Sequence, residues 1–150
     1  MPSDLPVFVD TNVLIYADDT TFPDKRARAR TWLNALWASR RGRVSTQVLN
    51  EYYEKVTCKL QPGLQQGDAR AKVRRFQLWN PWQIDHQTVE SAWGIEARFG
   101  FSYWDSLIVA AAAQSGCAYL LSEDMQHEQQ VDAVQIINPF LTEISELPLL

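Results

Sequence analysis

The sequence predicts an α/β domain of three layers, with a short central parallel sheet flanked by helices, and three observations carry that expectation. Short, largely apolar segments, at 7–9, 118–121 and 134–137, alternate with longer stretches of helical period. These segments lack the in–out alternation of half-exposed strands, as expected of strands covered on both faces. No linker-like composition interrupts the 150 residues, so residues 1–150 are expected to form a single domain.

The elements follow in order. Residues 6–10 read as a buried strand that runs straight into a helix at 11–17. A second helix at 23–41 opens on Pro23, and its apolar positions Ala29, Trp32, Leu33, Leu36 and Trp37 keep helical spacing. A short strand is expected at 43–45. Thr46 is then expected to cap a helix running to about residue 60, where Pro62 and Gly63 end it. A helix at 66–78 is broken by Asn80-Pro81, and 82–84 reads as a strand. Helix 86–99 closes on Gly100. Helix 102–114 is apolar almost all round, which places it in the core. Strands at 118–121 and 134–137 complete the set.

Composition excludes several classes. The hydrophobic fraction of 46% suits a globular core, and no apolar run approaches the roughly 20 residues that span a bilayer. The opening MPSDLPVFVD has no basic segment before an apolar stretch, so an export signal is not expected. The two cysteines, Cys58 and Cys117, lie in separate segments, which suits a reducing, cytoplasmic setting rather than a disulfide framework.

The net charge of −4 hides an asymmetry. Thirteen of the fourteen Lys and Arg lie in residues 1–75, against eight acids, while residues 76–150 hold Arg98 alone against ten acids. The basic clusters contain Arg26, Arg28 and Arg30, then Arg41 and Arg43, then Arg74 and Arg75. Each cluster reads either as a solvated helix face or as a track for a phosphate backbone.

Four acids carry the chemistry. Asp10 ends the first strand, Glu51 lies about one turn into its helix, Asp105 lies in the first turn of the core helix, and Asp124 follows a strand. Singly, each is accounted for as a helix cap or a surface position; Ser102 and Asp105 even have the spacing of a capping box. Together they stand where strands leave the sheet, the place where open α/β folds bind ligands. Converging carboxylates repel unless a hard cation neutralises them, and an all-oxygen set suits Mg²⁺ or Mn²⁺. Such a metal serves phosphodiester hydrolysis by the water it activates.

These residues carry a resemblance. VFVDTNVLIYA at 7–17, QVLNEYY at 47–53, FSYWDSLIVAAAAQSGCAYLLSEDMQ at 101–126 and INPF at 137–140 resemble PIN-domain ribonucleases of the bacterial VapC toxin type, in the family's order. The resemblance implies a Mg²⁺- or Mn²⁺-dependent endoribonuclease, with Asp10, Glu51, Asp105 and Asp124 as catalytic and metal-binding acids. It implies Thr11, Asn12 and Ser122 as polar supports. Its implied partners are an RNA substrate, a VapB-type antitoxin and a second copy of the chain in a homodimer, with no membrane. One position departs: where the family often has Gly four residues after the last acid, this chain has Glu128, which is expected to alter that loop. The competing reading is a catalytically impaired PIN-like module that binds RNA or protein. A phosphoaspartyl hydrolase needs an Asp where Asn12 stands, and a receiver domain needs a late-strand Lys that residues 76–150 lack.

Overall fold

A computed structural model describes residues 5–147. Residues 1–4, part of the segment read above for an export signal, lie outside the described residues. The chain runs β1 (Val7–Val9), α1 (Thr11–Tyr16), α2 (Pro23–Ser39), β2 (Gly42–Arg43), α3 (Thr46–Cys58), α4 (Gln66–Phe76), α5 (His86–Phe99), α6 (Tyr103–Gln114), β3 (Tyr119–Leu121), β4 (Gln130–Val131) and β5 (Val134–Ile137). The strands form one sheet in the order β2-β1-β3-β5-β4. Every pairing is parallel except β4 with β5.

The parallel core is the expected one. Val7, Phe8, Val9, Leu120, Leu121 and Ile136 are shut off from solvent, as unbroken apolar strands require. From β1 the chain crosses to β2 on one side, while β3 lies on the other, so the connection reverses direction between β1 and β3. Register aligns Val9 with Leu121, which brings the next residues, Asp10 and Ser122, side by side at that switch point. Helix α6 is buried along Leu107 to Ala112, as its apolar circumference predicts.

Several boundaries differ from the sequence reading. The strand expected at 43–45 is Gly42–Arg43, and its first residue has a cause: the Trp79 ring occupies the space a Cβ at Gly42 would take. The strand expected at 82–84 is reduced to a single parallel bridge from Trp82 to Ser45. Ser45, not Thr46, caps α3, its hydroxyl accepting from Val48 N; Thr46 Oγ1 instead accepts from Ile84 N. The helix at 66–78 ends at Phe76 and tightens to a 3₁₀ turn over Gln77–Trp79. The antiparallel β4 was not foreseen, because two residues carry no readable period. No helix among the described residues is long and apolar enough to cross a membrane.

Candidate active site

One cleft of about 510 Å³ is lined by Asp10, Thr11, Asn12, Gln47, Glu51, Trp104, Asp105 and Asp124 together with Tyr16, Asp19, Phe22, Lys55 and Lys59; Asp19 is an acid the sequence reading did not single out. All four acids therefore open on the same space, although up to 114 positions separate them in the chain.

Each acid arrives by a different local device. Asp10 is the N-cap of α1 as well as a cleft residue: its Oδ1 accepts from Thr11 N at 2.7 Å. Ser122 Oγ donates to Asp10 Oδ2 at 2.8 Å, a contact that the β1–β3 register makes unavoidable. Glu51 projects from α3 and is held by Thr11 Oγ1 at 2.8 Å and Gln47 Nε2 at 2.9 Å. Asp105 stands in the first turn of α6, where its N–H donates to Ser102 Oγ at 3.1 Å. The alternative of a helix cap does not hold for Asp124, because no helix follows it. It sits in a bend, with Asn12 Nδ2 3.1 Å from its carboxylate.

Asn12 ties the set together. Its Nδ2 lies within hydrogen-bonding distance of Asp10, Ser122 and Asp124, and its Oδ1 accepts from Glu123 N at 3.2 Å. The residues read as supports, Thr11, Asn12 and Ser122, thus each touch at least one of the acids.

The electrostatics are unfavourable as the site stands. Asp10 is 5% exposed, and burial pushes its carboxyl up to about 7, offset by the Ser122 and Thr11 hydrogen bonds and reinforced by the charges of Asp105 and Asp124. Asp105 is also raised, by burial and by Asp124 and Glu51. Among the described residues no Lys or Arg forms an ion pair with any of the four; the nearest acid neutralised this way is Glu123, by Lys25.

No group of three or more His, Cys, Asp or Glu among the described residues is gathered tightly enough to be a ready ligand set. Three of the carboxylates lean instead on neutral donors: Asp10 on Thr11 and Ser122, Glu51 on Thr11 and Gln47, and Asp124 on Asn12. The donor chemistry still fits a hard divalent cation, because the cleft offers carboxylate and amide oxygens and no soft ligand. Asp10, Glu51, Asp105 and Asp124 are the side chains that would hold it.

Side-chain nucleophiles are poor here. Burial pushes the Cys117 thiol up to about 11, Ser106 Oγ donates back to Ser102 O, and His127 Nδ1 is spent accepting from Asn138 N.

None of the seven arginines read as an RNA track lines this cleft. Arg28 pairs with Glu143 at 2.9 Å, Arg30 Nε donates to Ala17 O, and Arg43 donates to the carbonyls of Arg40 and Gly42. Arg75 stacks on Trp37 at 4.3 Å, Arg74 is exposed on α4, Arg26 is half-buried on α2, and the Arg41 carbonyl accepts from Val7 N. The cations inside the cleft are Lys55 and Lys59. A signal for them was present, since Glu51, Lys55 and Lys59 recur every four residues and so share one face of α3. Clustering drew attention to the arginines instead.

Comparison with known proteins bears on the family and the fold. The sequence profile described as the PIN domain matches residues 7–132. The crystal structure of Mycobacterium tuberculosis VapC20, described as a sarcin–ricin loop cleaving toxin, superposes with a TM-score of 0.54 at 18% identity, covering 76% of this chain and 86% of that one. At that identity the likeness speaks for the fold. No curated protein sequence matches the chain.

Proposed function

The chain belongs to the PIN-domain family, and from that premise we propose that it is a divalent-metal-dependent endoribonuclease that serves as the toxin of a toxin–antitoxin pair. The observation that carries this reading is the cleft itself: four acids from four separate segments, opening on one space with no Lys or Arg paired to them. A fold does not retain such repulsion for stability, and a bound cation turns it into attraction.

The roles divide by position. Asp10 and Asp105, the two carboxylates pushed upward, are the principal metal ligands, with Glu51 and Asp124 completing the set. A bound Mg²⁺ or Mn²⁺ supplies charge neutralisation at the phosphate and lowers the pKa of water. Thr11, Asn12 and Ser122 hold the acids in place before the ion arrives, which reduces the reorganisation needed on binding. Lys55 and Lys59 take the flanking phosphates along α3, a track inside the cleft that replaces the outlying arginines. Phe22, 49% exposed on the wall of the same cleft, offers a face for a base.

A toxin of this kind needs restraint. An antitoxin segment that presents Arg or Lys to the four acids would supply the missing counter-charge and compete with the metal. VapC20 is described as cleaving the sarcin–ricin loop; for this chain the RNA target is left to experiment.

The test is cleavage of single-stranded RNA by purified protein in Mg²⁺ and in excess EDTA. Cleavage in Mg²⁺ that stops with EDTA and in Asp105→Asn is expected. Equal cleavage in EDTA overturns the metal-dependent mechanism. Absence of RNA cleavage with bound RNA and either metal supports the impaired binding module instead. Expression alone is expected to slow growth, and an adjacent small antitoxin to restore it.

A further inference from the structure

Beside the acid cleft lies a second groove of about 510 Å³, lined by Thr46, Gln47, Asn50, Glu51, Ile84, Trp104 and Leu107. Gln47, Glu51 and Trp104 belong to both, so the two spaces meet along one wall. Trp104 stands on that wall with its residue 62% exposed, an unusual state for an indole that could pack into the core one turn away. Tyr103 braces it from the side, ring centroids 5.2 Å apart and planes at 67°. Gln47 Nε2 anchors its backbone by donating to Trp104 O at 3.2 Å while also holding Glu51, and Gln47 Oε1 is buried without a hydrogen-bond partner.

We propose that this groove is a nucleobase pocket, in which Trp104 stacks on the unpaired base next to the scissile phosphate and sets the nucleotide preference of cleavage. The proposal rests on the ribonuclease reading above and deepens it. Three observations favour a base as the occupant. The groove is continuous with the acids through Glu51 and Trp104, so a strand whose phosphate reaches Asp105 has its adjoining base at the neighbouring residue, Trp104. Its wall is apolar at Trp104, Ile84 and Leu107, as a base face requires. Beside the Glu51 carboxylate, its remaining lining is amide and hydroxyl, at Asn50, Gln47 and Thr46, and such groups hydrogen-bond base edges. Asn50 is exposed and makes no side-chain hydrogen bond within the described residues, so its carboxamide is free to read an edge. An apolar protein segment would have to bury that carboxamide unpaired.

The experiment uses the full chain, a short single-stranded RNA oligonucleotide that it cleaves at one position, and a series of that RNA with each nucleotide made abasic in turn. Binding is measured on an Asp105→Asn background, with Trp104 intact, Trp104→Ala and Trp104→Phe. With Trp104, removing the base beside the cleavage site is expected to cost about ten-fold in affinity. With Trp104→Ala that penalty is expected to vanish, with Trp104→Phe most of it to return, and Asn50→Ala on the active chain to broaden the cleavage-site preference. The exposed position makes all three variants compatible with folding, and circular dichroism checks that. An abasic penalty that is the same with and without the indole overturns the base pocket while RNA cleavage leaves the nuclease reading standing. Loss of antitoxin affinity in Trp104→Ala, with RNA binding unchanged, likewise overturns it and assigns the groove to the protein partner. Wild-type protein that neither binds nor cleaves RNA overturns both readings.

Discussion

Helix α1 has a carboxylate at each end, and the two are treated in opposite ways. Beyond its C-terminus, Asp18 has a side chain 6% exposed, with Lys72 Nζ at 2.7 Å and the Tyr52 hydroxyl at 2.5 Å. At its N-terminus, Asp10 is also buried but meets only neutral donors, from Thr11, Asn12 and Ser122, with Asp105 and Asp124 repelling it. The fold is thus able to pair a buried acid with a cation and does so where the acid is structural. Leaving Asp10 without one costs stability, and the difference marks the end of the helix where function is expected.

The sharpest way to break this comparison is to neutralise one carboxylate on the functional side. Asp10→Asn and Asp105→Asn are each expected to lower RNA cleavage by at least about a thousand-fold, because charge neutralisation at the metal is lost. The same changes are expected to leave the metal-free fold intact. Single-turnover cleavage together with thermal melts checks both halves. A loss of cleavage that follows unfolding would erase the distinction between the two ends.

The structural side gives the opposite result. Lys72→Met leaves Asp18 buried with Tyr52 alone, and destabilisation of about 2 kcal/mol is expected. This falls below the roughly 3–5 kcal/mol of a fully buried pair, because Lys72 is 44% exposed and the pair is partly solvated. Urea unfolding measures it, and cleavage per folded molecule should not change. A Lys72→Met chain as stable as the wild type would show that Asp18 tolerates isolation just as Asp10 does.

The functional side of this comparison was legible in the sequence, the structural side was not, and the difference has physical causes. The parallel core could be read because Val7-Phe8-Val9 and the segment 118–121 are unbroken apolar runs. Asp10 then followed from where the first strand ends, and Ser122 from the resemblance to PIN-domain ribonucleases. The pairing of Asp18 could not be read: Tyr52 and Lys72 lie 34 and 54 positions away on helices whose mutual packing no local pattern encodes. Lys55 and Lys59 were overlooked because isolated lysines at helical spacing attract less notice than arginine clusters. Those clusters are largely engaged elsewhere, as Arg28 with Glu143 and Arg75 with Trp37 show. Trp104 reads in sequence as apolar bulk around Asp105, and only its exposure reveals a wall between two grooves.

The comparison is also sharpened through pH. The folded chain holds a proton on Asp10 up to about pH 7, whereas the unfolded chain releases it near the ordinary value of 3.8. Stability from this group is therefore fully present below about pH 4 and lost as pH rises through about 7. In EDTA, Asp10→Asn is expected to gain on the wild type across that window, by at most about 4 kcal/mol, and to hold the gain above it. Melting temperatures of the two proteins at pH 5 and pH 8 give the difference. A constant gap would mean that Asp10 titrates like an exposed acid.

The smallest effect concerns the loop after Asp124. Glu128, where the family often has glycine, adopts the left-handed region with φ of 69°. A side chain there strains the backbone, so Glu128→Gly is expected to stabilise by about 0.5–1 kcal/mol, a melting shift of about 2 °C. The backbone already takes the conformation glycine favours, so Asp124 and RNA cleavage should be unaffected. Destabilisation would show that the weak contact between Glu128 and His127, at 3.5 Å, matters more than the strain.

The central claim, that Asp10 and its neighbours are left unpaired to receive a divalent cation, is tested most directly by thermal melts at pH 8 in EDTA and in Mg²⁺, for wild type and Asp10→Asn. In EDTA the variant is expected to melt higher than the wild type. Mg²⁺ is expected to raise the wild type and leave the variant nearly unchanged, narrowing or reversing the order. A wild type that melts at the same temperature with and without Mg²⁺, and below the variant in both, would contradict the claim and leave the acids as a repulsive cluster without a metal to bind.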